Sequence, residues 1–337
     1  MVKALQIRHL ARELSLALVA LFIAFWIPGR SEASPAGADH QVKALKITVL
    51  VTNVAGDPHA GAGEWGYSAL VEVDGRKILY DTGASPDLVL HNARALHIDL
   101  SDVEDVVLSH NHWDHVGGLL TLRRELSQTN PRAISRVHVA AGIFRPRLTD
   151  SGEDHNGLRE IQAQYLATGG KFIVHDGASE LQPGVWFTGP VPRPNNERNW
   201  NPGLSLRTAA GLIEDNVPED AALLFDTPEG TVILTGCGHA GIVNISEDAR
   251  HIVGPEPILA IVGGLHLFAA NEATLAWTSD KLRSYGVRQL LAGHCTGIEA
   301  TYRLRAALGL SRKTAVVSVV GSSFTLGQGI DALALAQ

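Results

Sequence analysis

Three histidines and one aspartate fall within the short run Ser109-His110-Asn111-His112-Trp113-Asp114-His115. Imidazole nitrogens and carboxylate oxygens are the donors that borderline cations such as Zn²⁺ prefer. The run follows a β-rich stretch, Val103 to Leu108, and precedes a helical one. Side chains at i and i+2 of a strand end point to one side, so His110 and His112 can share one cation. Asp114 and His115, on the turn that follows, can reach a second. Two ions about 3.5–4 Å apart can acidify a shared water and clamp a substrate oxygen. Gly117 and Gly118 let the backbone turn tightly beside this cluster. Trp113 reads as a wall or packing residue.

Other residues of chemical interest lie where strands end. Asp81 follows the strand that finishes at Tyr80, where it either caps a turn or orients a ligating imidazole from behind. Cys237 and His239 sit in a Gly-rich turn after the strand ending at Thr235. A thiolate is a good zinc ligand. His239 is a candidate metal ligand or substrate contact. His266 and His294 follow two further strand-like runs, Ile258 to Val262 and Val287 to Ala292. His138, His155 and His175 have no motif around them and read as surface or core residues.

These sites need elements to hold them. Lys46 to Asn53 is β-rich and opens the folded part. Ala69 to Tyr80 reads as a hairpin around Asp74-Gly75, a strong two-residue turn signal. A helix is expected over Gly117 to Leu126, then a strand over Val137 to Ala141 and a helix over Leu158 to Ala167. Strands at Phe172 to His175 and Val185 to Thr188 precede the Pro/Asn-rich loop Pro190 to Pro202. A second hairpin turns at Pro228-Glu229-Gly230. Helices at Ile242 to Ile252, Glu272 to Tyr285 and Ile298 to Leu308 then alternate with strands, the last at Ala315 to Val320. The pattern is that of one α/β domain with two packed sheets and helices outside.

The cluster resembles the H-x-H-x-D-H signature of the metallo-β-lactamase fold superfamily. Further blocks resemble its dihydropterin-synthase-like branch: Glu64 to Ser68, Tyr80-Asp81-Thr82-Gly83, Thr188 to Arg193, Gly236 to Gly241, Gly263 to Leu267 and Gly293-His294-Cys295-Thr296-Gly297. The resemblance spans residues 46–325 and implies an αββα four-layer sandwich with a dinuclear metal site at one edge of its two sheets. It implies metal ligands at His110, His112, Asp114, His115, Cys237, His239 and His294, with Asp81 behind them. Cys237 stands where many members carry a metal-bridging aspartate. His266 is an alternative last ligand or a proton donor, and Asp114 can also steer the attacking group or receive a proton. Glu64, Trp65 and Arg193 are the substrate-contact candidates, Arg193 through its planar fork on an anionic group. Trp65 replaces the branch's usual histidine, and Gly238 its usual serine. Cys237 and Cys295 flank candidate ligands, and a disulfide between them would compete with metal.

Composition bounds the rest. The 337-residue chain is 45% hydrophobic and 19% charged, so it can bury a core. Its net charge of -7 lacks the basic footprint of a nonspecific nucleic-acid binder. Two cysteines exclude a disulfide-stapled scaffold. Lys3, Arg8 and Arg12 precede the apolar run Leu14 to Ile27, then Pro28-Gly29 and the small residues Ser31 and Ala33. This is the three-part pattern of a secretory signal over residues 1–33, with an uncleaved anchor as the alternative. The run is short of the about 20 apolar residues a spanning helix needs. Residues 34–45 then form a leader and 326–337 a C-terminal tail. The expectation is a secreted or periplasmic hydrolase using two divalent cations, zinc first, with manganese, iron or magnesium as alternatives. It would act on an ester, phosphoester or related bond of a small substrate, with an anionic one among the options. A pterin-related transferase and a non-catalytic metal or ligand binder are the other readings.

Overall fold

The computed structural model describes residues 40–57, 61–200, 203–208 and 211–336. The expected signal segment lies outside them. Eight strands form one sheet, in the spatial order Gly329–Asp331, Ser323–Thr325, Leu45–Val51, Ser68–Val73, Arg76–Tyr80, Asp105–Val107, Arg136–Ala140 and Lys171–His175. Seven form a second, in the order Ala315–Val317, Gln289–Ala292, Ile258–Gly263, Gly230–Thr235, Ala222–Thr227, Val185–Phe187 and Ser179–Gln182. A small third sheet joins Gly211–Glu214, Ser205–Thr208 and Arg147–Leu148.

Period-two alternation sorts the strand residues into layers. Ile78 and Tyr80 face the space between the sheets, whereas Leu79 faces the helices on the far side of the first sheet. Leu223 and Phe225 point into the same intersheet core, and Ala222 and Leu224 point away from it. The intersheet core thus draws on both sheets. A second cluster packs helices Leu88–Ala95, Leu119–Leu126 and Gly157–Ala167 on the outer face of the first sheet. A third packs Ile242–Ile252, Glu272–Ser284 and Ile298–Ala307 on the outer face of the second. This is the αββα sandwich expected from the resemblance.

The Asp74-Gly75 turn has both residues at positive φ, 47° and 79°, as a type I′ hairpin requires. The expected helix from Gly117 is instead two pieces, Trp113–Val116 and Leu119–Leu126. The first helical turn therefore begins inside the histidine motif. Gly117 and Gly118 have ordinary helical dihedrals, with φ -60° and -82°. Their need for glycine is space, because a Cβ would stand 1.9 Å from the Ala84 carbonyl oxygen and 2.4 Å from that of Thr82.

The ends of the fold also differ from expectation. Val42, within the expected leader, is fully buried, and its N–H donates to the Asp226 carbonyl. Past Thr325 the chain turns and pairs back on Ser323–Thr325 through Gly329–Asp331, so the expected tail supplies an edge strand. The edge strand was hidden because Gly329–Asp331 holds one apolar residue in three, and Val42 because a single buried residue ahead of a strand carries no pattern.

Candidate metal centre

Five loops bring donors to one rim. They follow Arg76–Tyr80, Asp105–Val107, Gly230–Thr235, Ile258–Gly263 and Gln289–Ala292, at the carboxyl ends of neighbouring strands. Crevices outside such strand ends are where ligands gather in open α/β sheets. Parallel pairing puts Thr235 beside Gly263 and Gly263 beside Ala292, so Cys237, His266 and His294 emerge side by side. Asp81, His266 and His294 adopt positive φ of 54°, 48° and 50°. This conformation is costly for residues with a Cβ and is found mostly where side-chain aim is functional.

The donor atoms fall into overlapping sets, each with its members within 4.8 Å of one another. His110, His112 and His239 form one; Asp114, His115 and His294 form another. Cys237 joins His110 and His115, and its Sγ is 3.2 Å from His115 Nε2. His115 Nε2 is 3.2 Å from His294 Nε2, and Asp114 Oδ2 is 3.2 Å from the latter. All the sequence-derived ligand candidates therefore converge on one place.

Hydrogen bonds behind the rings fix which nitrogen faces inward. Asp81 Oδ1 accepts from the Ser109 N–H (2.8 Å), and Oδ2 accepts from Ser109 Oγ and from His115 Nδ1, each at 2.7 Å. With its proton committed to Asp81, Ser109 Oγ accepts from His110 Nδ1 at 2.8 Å. His239 Nδ1 donates to the Asn199 carbonyl, and His294 Nδ1 donates to Asn53 Oδ1 at 3.3 Å. In all four rings Nδ1 carries the proton, so Nε2 offers a lone pair. A Cβ at Gly236 would lie 2.1 Å from Ser109 Oγ and 2.5 Å from Asp81 Oδ2, so only glycine lets the strand end pass this network.

These residues fit a cation. Burial lowers His115, but the Asp114 and Asp81 carboxylates outweigh it and raise it to about 9, so positive charge is favoured where its Nε2 faces His294 Nε2 across 3.2 Å. Nε2 of His110 and of His239 is buried with no hydrogen-bond partner. Burial, and then the neighbouring imidazoles, push His110 and His239 well below the usual histidine range. Burial lowers His112 to about 4. All three are neutral at pH 7, the form that binds metal. Burial works to raise Asp114, but His115 and His294 outweigh it and hold it ionised. Burial also pushes the Cys237 thiol up, opposing ionisation until a cation is present.

The remaining candidates divide. Trp65 borders a cleft of about 480 Å³ over the cluster, its ring 5.0 Å from that of His294. His266 lines the same cleft, its ring 4.4 Å from that of His239 and its buried Nδ1 without a partner. His266 also groups with Cys237 and Cys295. Both cysteines are free thiols. Glu64 is not among the residues lining this cleft. Its carboxylate accepts the N–H groups of Ala84 and Ser85, tying the loop before Trp65 to the Asp81 loop. Arg193 is also absent from the lining. Its Nη2 donates to the Val217 carbonyl at 2.6 Å, and its guanidinium lies 5.7 Å from the Trp200 ring. His155, read from sequence as incidental, does line the cleft, as do Trp200 and Asp215. No motif surrounds these three. Ser109, Asn53 and Asn199 were equally hidden, since single Ser and Asn residues carry no spacing signal.

The sequence profile of the metallo-beta-lactamase superfamily matches residues 66–196. Among solved structures, Tm1679, a metal-dependent hydrolase of the β-lactamase superfamily, superposes with a TM-score of 0.64 at 27% identity, over 83% of this chain and 98% of that one. YhfI from Bacillus subtilis, a metallo-β-lactamase fold protein, shares the fold with a TM-score of 0.51 at 14% identity, over 84% and 100% of the two chains. The profile match and the superpositions show that this chain has the metallo-β-lactamase fold. The chain is also 29% identical over 268 residues to the 7,8-dihydropterin-6-methyl-4-(β-D-ribofuranosyl)-aminobenzene-5'-phosphate synthase of Methanocaldococcus jannaschii, an alignment covering 77% of this chain and 90% of that protein.

Proposed function

We propose that the protein is an exported hydrolase dependent on two divalent cations, zinc first among them, that cleaves an ester, phosphoester or related bond. The observation that carries this reading is the pair of donor triads, His110/His112/His239 and Asp114/His115/His294, meeting at Cys237. Cations held there would supply Lewis acidity, polarising the bond under attack and acidifying a water. The chain's own residues do the rest. Asp81, Ser109, Asn53 and the Asn199 carbonyl hold the rings in one tautomer and one orientation. Asp114, ionised where it lines the cleft, would accept a hydrogen bond from the attacking water and steer it. His266 stands outside both triads and faces the cleft, placed to protonate the departing oxygen.

The test is metal content with a screen of esters and phosphodiesters. The purified protein is expected to hold about two equivalents per chain. His112→Ala should lose metal while keeping its circular dichroism spectrum. Unchanged metal content in that variant would remove the basis of the proposal.

The likeness to the M. jannaschii synthase supports a second reading, a pterin-related transferase with a pyrophosphate leaving group. Pyrophosphate release from a pterin pyrophosphate, dependent on an aminobenzene ribofuranoside phosphate, would favour it. The secretory pattern of residues 1–33 weighs against it, because such intermediates are cytoplasmic.

A further inference from the structure

Besides the two triads, the rim holds a further set of donors. The Sγ atoms of Cys237 and Cys295 and a ring nitrogen of His266 lie within 4.8 Å of one another. Among the described residues, Cys295 and His266 belong to no other such set, so neither triad uses them as ligands. Both thiols are free and buried. All three residues line the cleft, so an ion can reach them from solvent.

The chain is built to bring these three together. Parallel pairing of Gly230–Thr235, Ile258–Gly263 and Gln289–Ala292 sets three strand ends side by side, and one donor leaves from each. At Gly264 a Cβ would stand 2.2 Å from the Gly236 carbonyl oxygen and 2.8 Å from Cys295 Sγ, so only glycine lets the His266 loop pass the two cysteines. The Thr296 hydroxyl accepts the Leu265 N–H at 2.9 Å, and the Phe268 N–H donates to the Cys295 carbonyl at 3.2 Å. These two bonds clamp the loop on either side of His266. His266 itself takes a φ of 48°, and its buried Nδ1 has no partner. A strained histidine with an unpaired buried nitrogen, set beside two reduced thiols, is a donor set for a soft cation.

We infer that Cys237, Cys295 and His266 form a third cation site, distinct in chemistry from the two triads and suited to a soft monovalent ion, Cu(I). The triads offer imidazole and carboxylate, which suit zinc, whereas two thiolates with one imidazole select soft ions. Three donors suffice for Cu(I), which takes low coordination numbers, while a structural zinc site is almost always four-coordinate. Binding releases the two thiol protons to solvent, and no electron is transferred. Cys237 also groups with His110 and His115, so its thiolate would bridge this ion to the neighbouring centre. The site goes beyond the hydrolase reading and stands whatever bond is cleaved. An ion on His266 and the proton transfer assigned to that residue above exclude each other.

The test is an anaerobic titration of the purified, reduced and zinc-supplied protein with Cu(I), buffered by bathocuproine disulfonate, whose coloured complex reports the copper it keeps. The protein is expected to take about one Cu(I) equivalent from the chelator and to gain a thiolate-to-copper absorption band in the ultraviolet, with its zinc content unchanged. Cys295→Ser and His266→Gln each remove a direct donor. Each should therefore weaken Cu(I) binding by more than the roughly 10–100-fold that loss of a supporting partner costs. Zinc content and the circular dichroism spectrum should stay as in wild type, and if one variant fails to fold the other carries the test. No uptake against the chelator would overturn the inference. Equal uptake in wild type and both variants would do so too, as would uptake matched by release of zinc, which would place the copper in the triads. None of these readouts needs turnover, so a failure to hydrolyse any ester or phosphodiester removes the hydrolase reading without touching this one.

Discussion

Asp81 is the residue on which the orientation of the cluster turns. Three donors converge on its two oxygens: the Ser109 N–H, the Ser109 hydroxyl and His115 Nδ1. One carboxylate thereby sets His115 directly and His110 through Ser109. Asp81→Asn keeps the volume but replaces one acceptor with an N–H donor, so at least one of the three donors must face another donor. The expected result is a roughly 10–100-fold weaker metal affinity with the fold retained. Competition with a chromogenic chelator, alongside circular dichroism, measures both. Wild-type affinity in this variant would show that the rings are oriented by packing alone. The sequence made Asp81 visible because it follows a strand and stands in a recurring block. It gave no sign of Ser109, since a hydroxyl that relays a hydrogen bond looks like any other serine. Glu64 binds the backbone N–H groups of Ala84 and Ser85, and Arg193 binds the Val217 carbonyl through Nη2 while its buried Nη1 has no partner.

At the scale of elements, the edge of the first sheet carries a polar cluster well away from these loops. Asp105 on Asp105–Val107 pairs with Arg136 at 2.6 Å and with His138 at 3.2 Å, both on the neighbouring strand Arg136–Ala140. His138 Nδ1 continues the chain to His175 Nε2 at 3.0 Å, one strand further on. Partial burial works to raise the Asp105 carboxyl, but His138 and Arg136 outweigh it and hold it below the usual carboxylate range. A depressed carboxyl stabilises the fold above its unfolded value of 3.8 and loses that contribution as pH falls through the folded value. Asp105→Asn is therefore expected to lower stability by about 1–2 kcal/mol at pH 7, discounted for partial exposure. The gap to wild type should close as pH falls below about 4. Urea unfolding of both proteins at pH 7, 5 and 3 checks this, and a gap constant with pH would contradict it. Sequence placed these strands well, because they are regular and apolar. It treated His138 and His175 as incidental, because cross-strand partners depend on register that no local pattern encodes.

On the scale of the whole molecule, the long and periodic features were legible: the Asp-Gly hairpin, the helix Ile242–Ile252, and the two-sheet sandwich implied by alternating helices and strands. The ring of donors was legible too, since each member follows a strand end. The aromatic lining of the cleft was not, because Trp65, Trp113 and Trp200 come from three separate loops and share no spacing. The small sheet that links Arg147–Leu148 with Ser205–Thr208 was hidden because neither strand contains an apolar run. Residues 1–33 pose a different question, one of destination. Lys3, Arg8 and Arg12 ahead of an apolar run, with Ser31 and Ala33 at the two positions a signal peptidase reads, lead us to propose export with cleavage after Ala33. The fold is consistent with such processing, since Val42 is the first core residue of the described chain and lies beyond that cut. Expression of the full chain in a bacterium with a periplasm should yield a soluble periplasmic protein whose N-terminal residue, by Edman sequencing, is Ser34. Replacing Ala33 with a bulky residue, Ala33→Tyr, should leave the precursor uncleaved and membrane-bound, because the peptidase pocket takes only small side chains. Wild-type protein that keeps Met1 and stays in the cytoplasm would refute export, and one that keeps Met1 but sediments with membranes would establish the anchor instead.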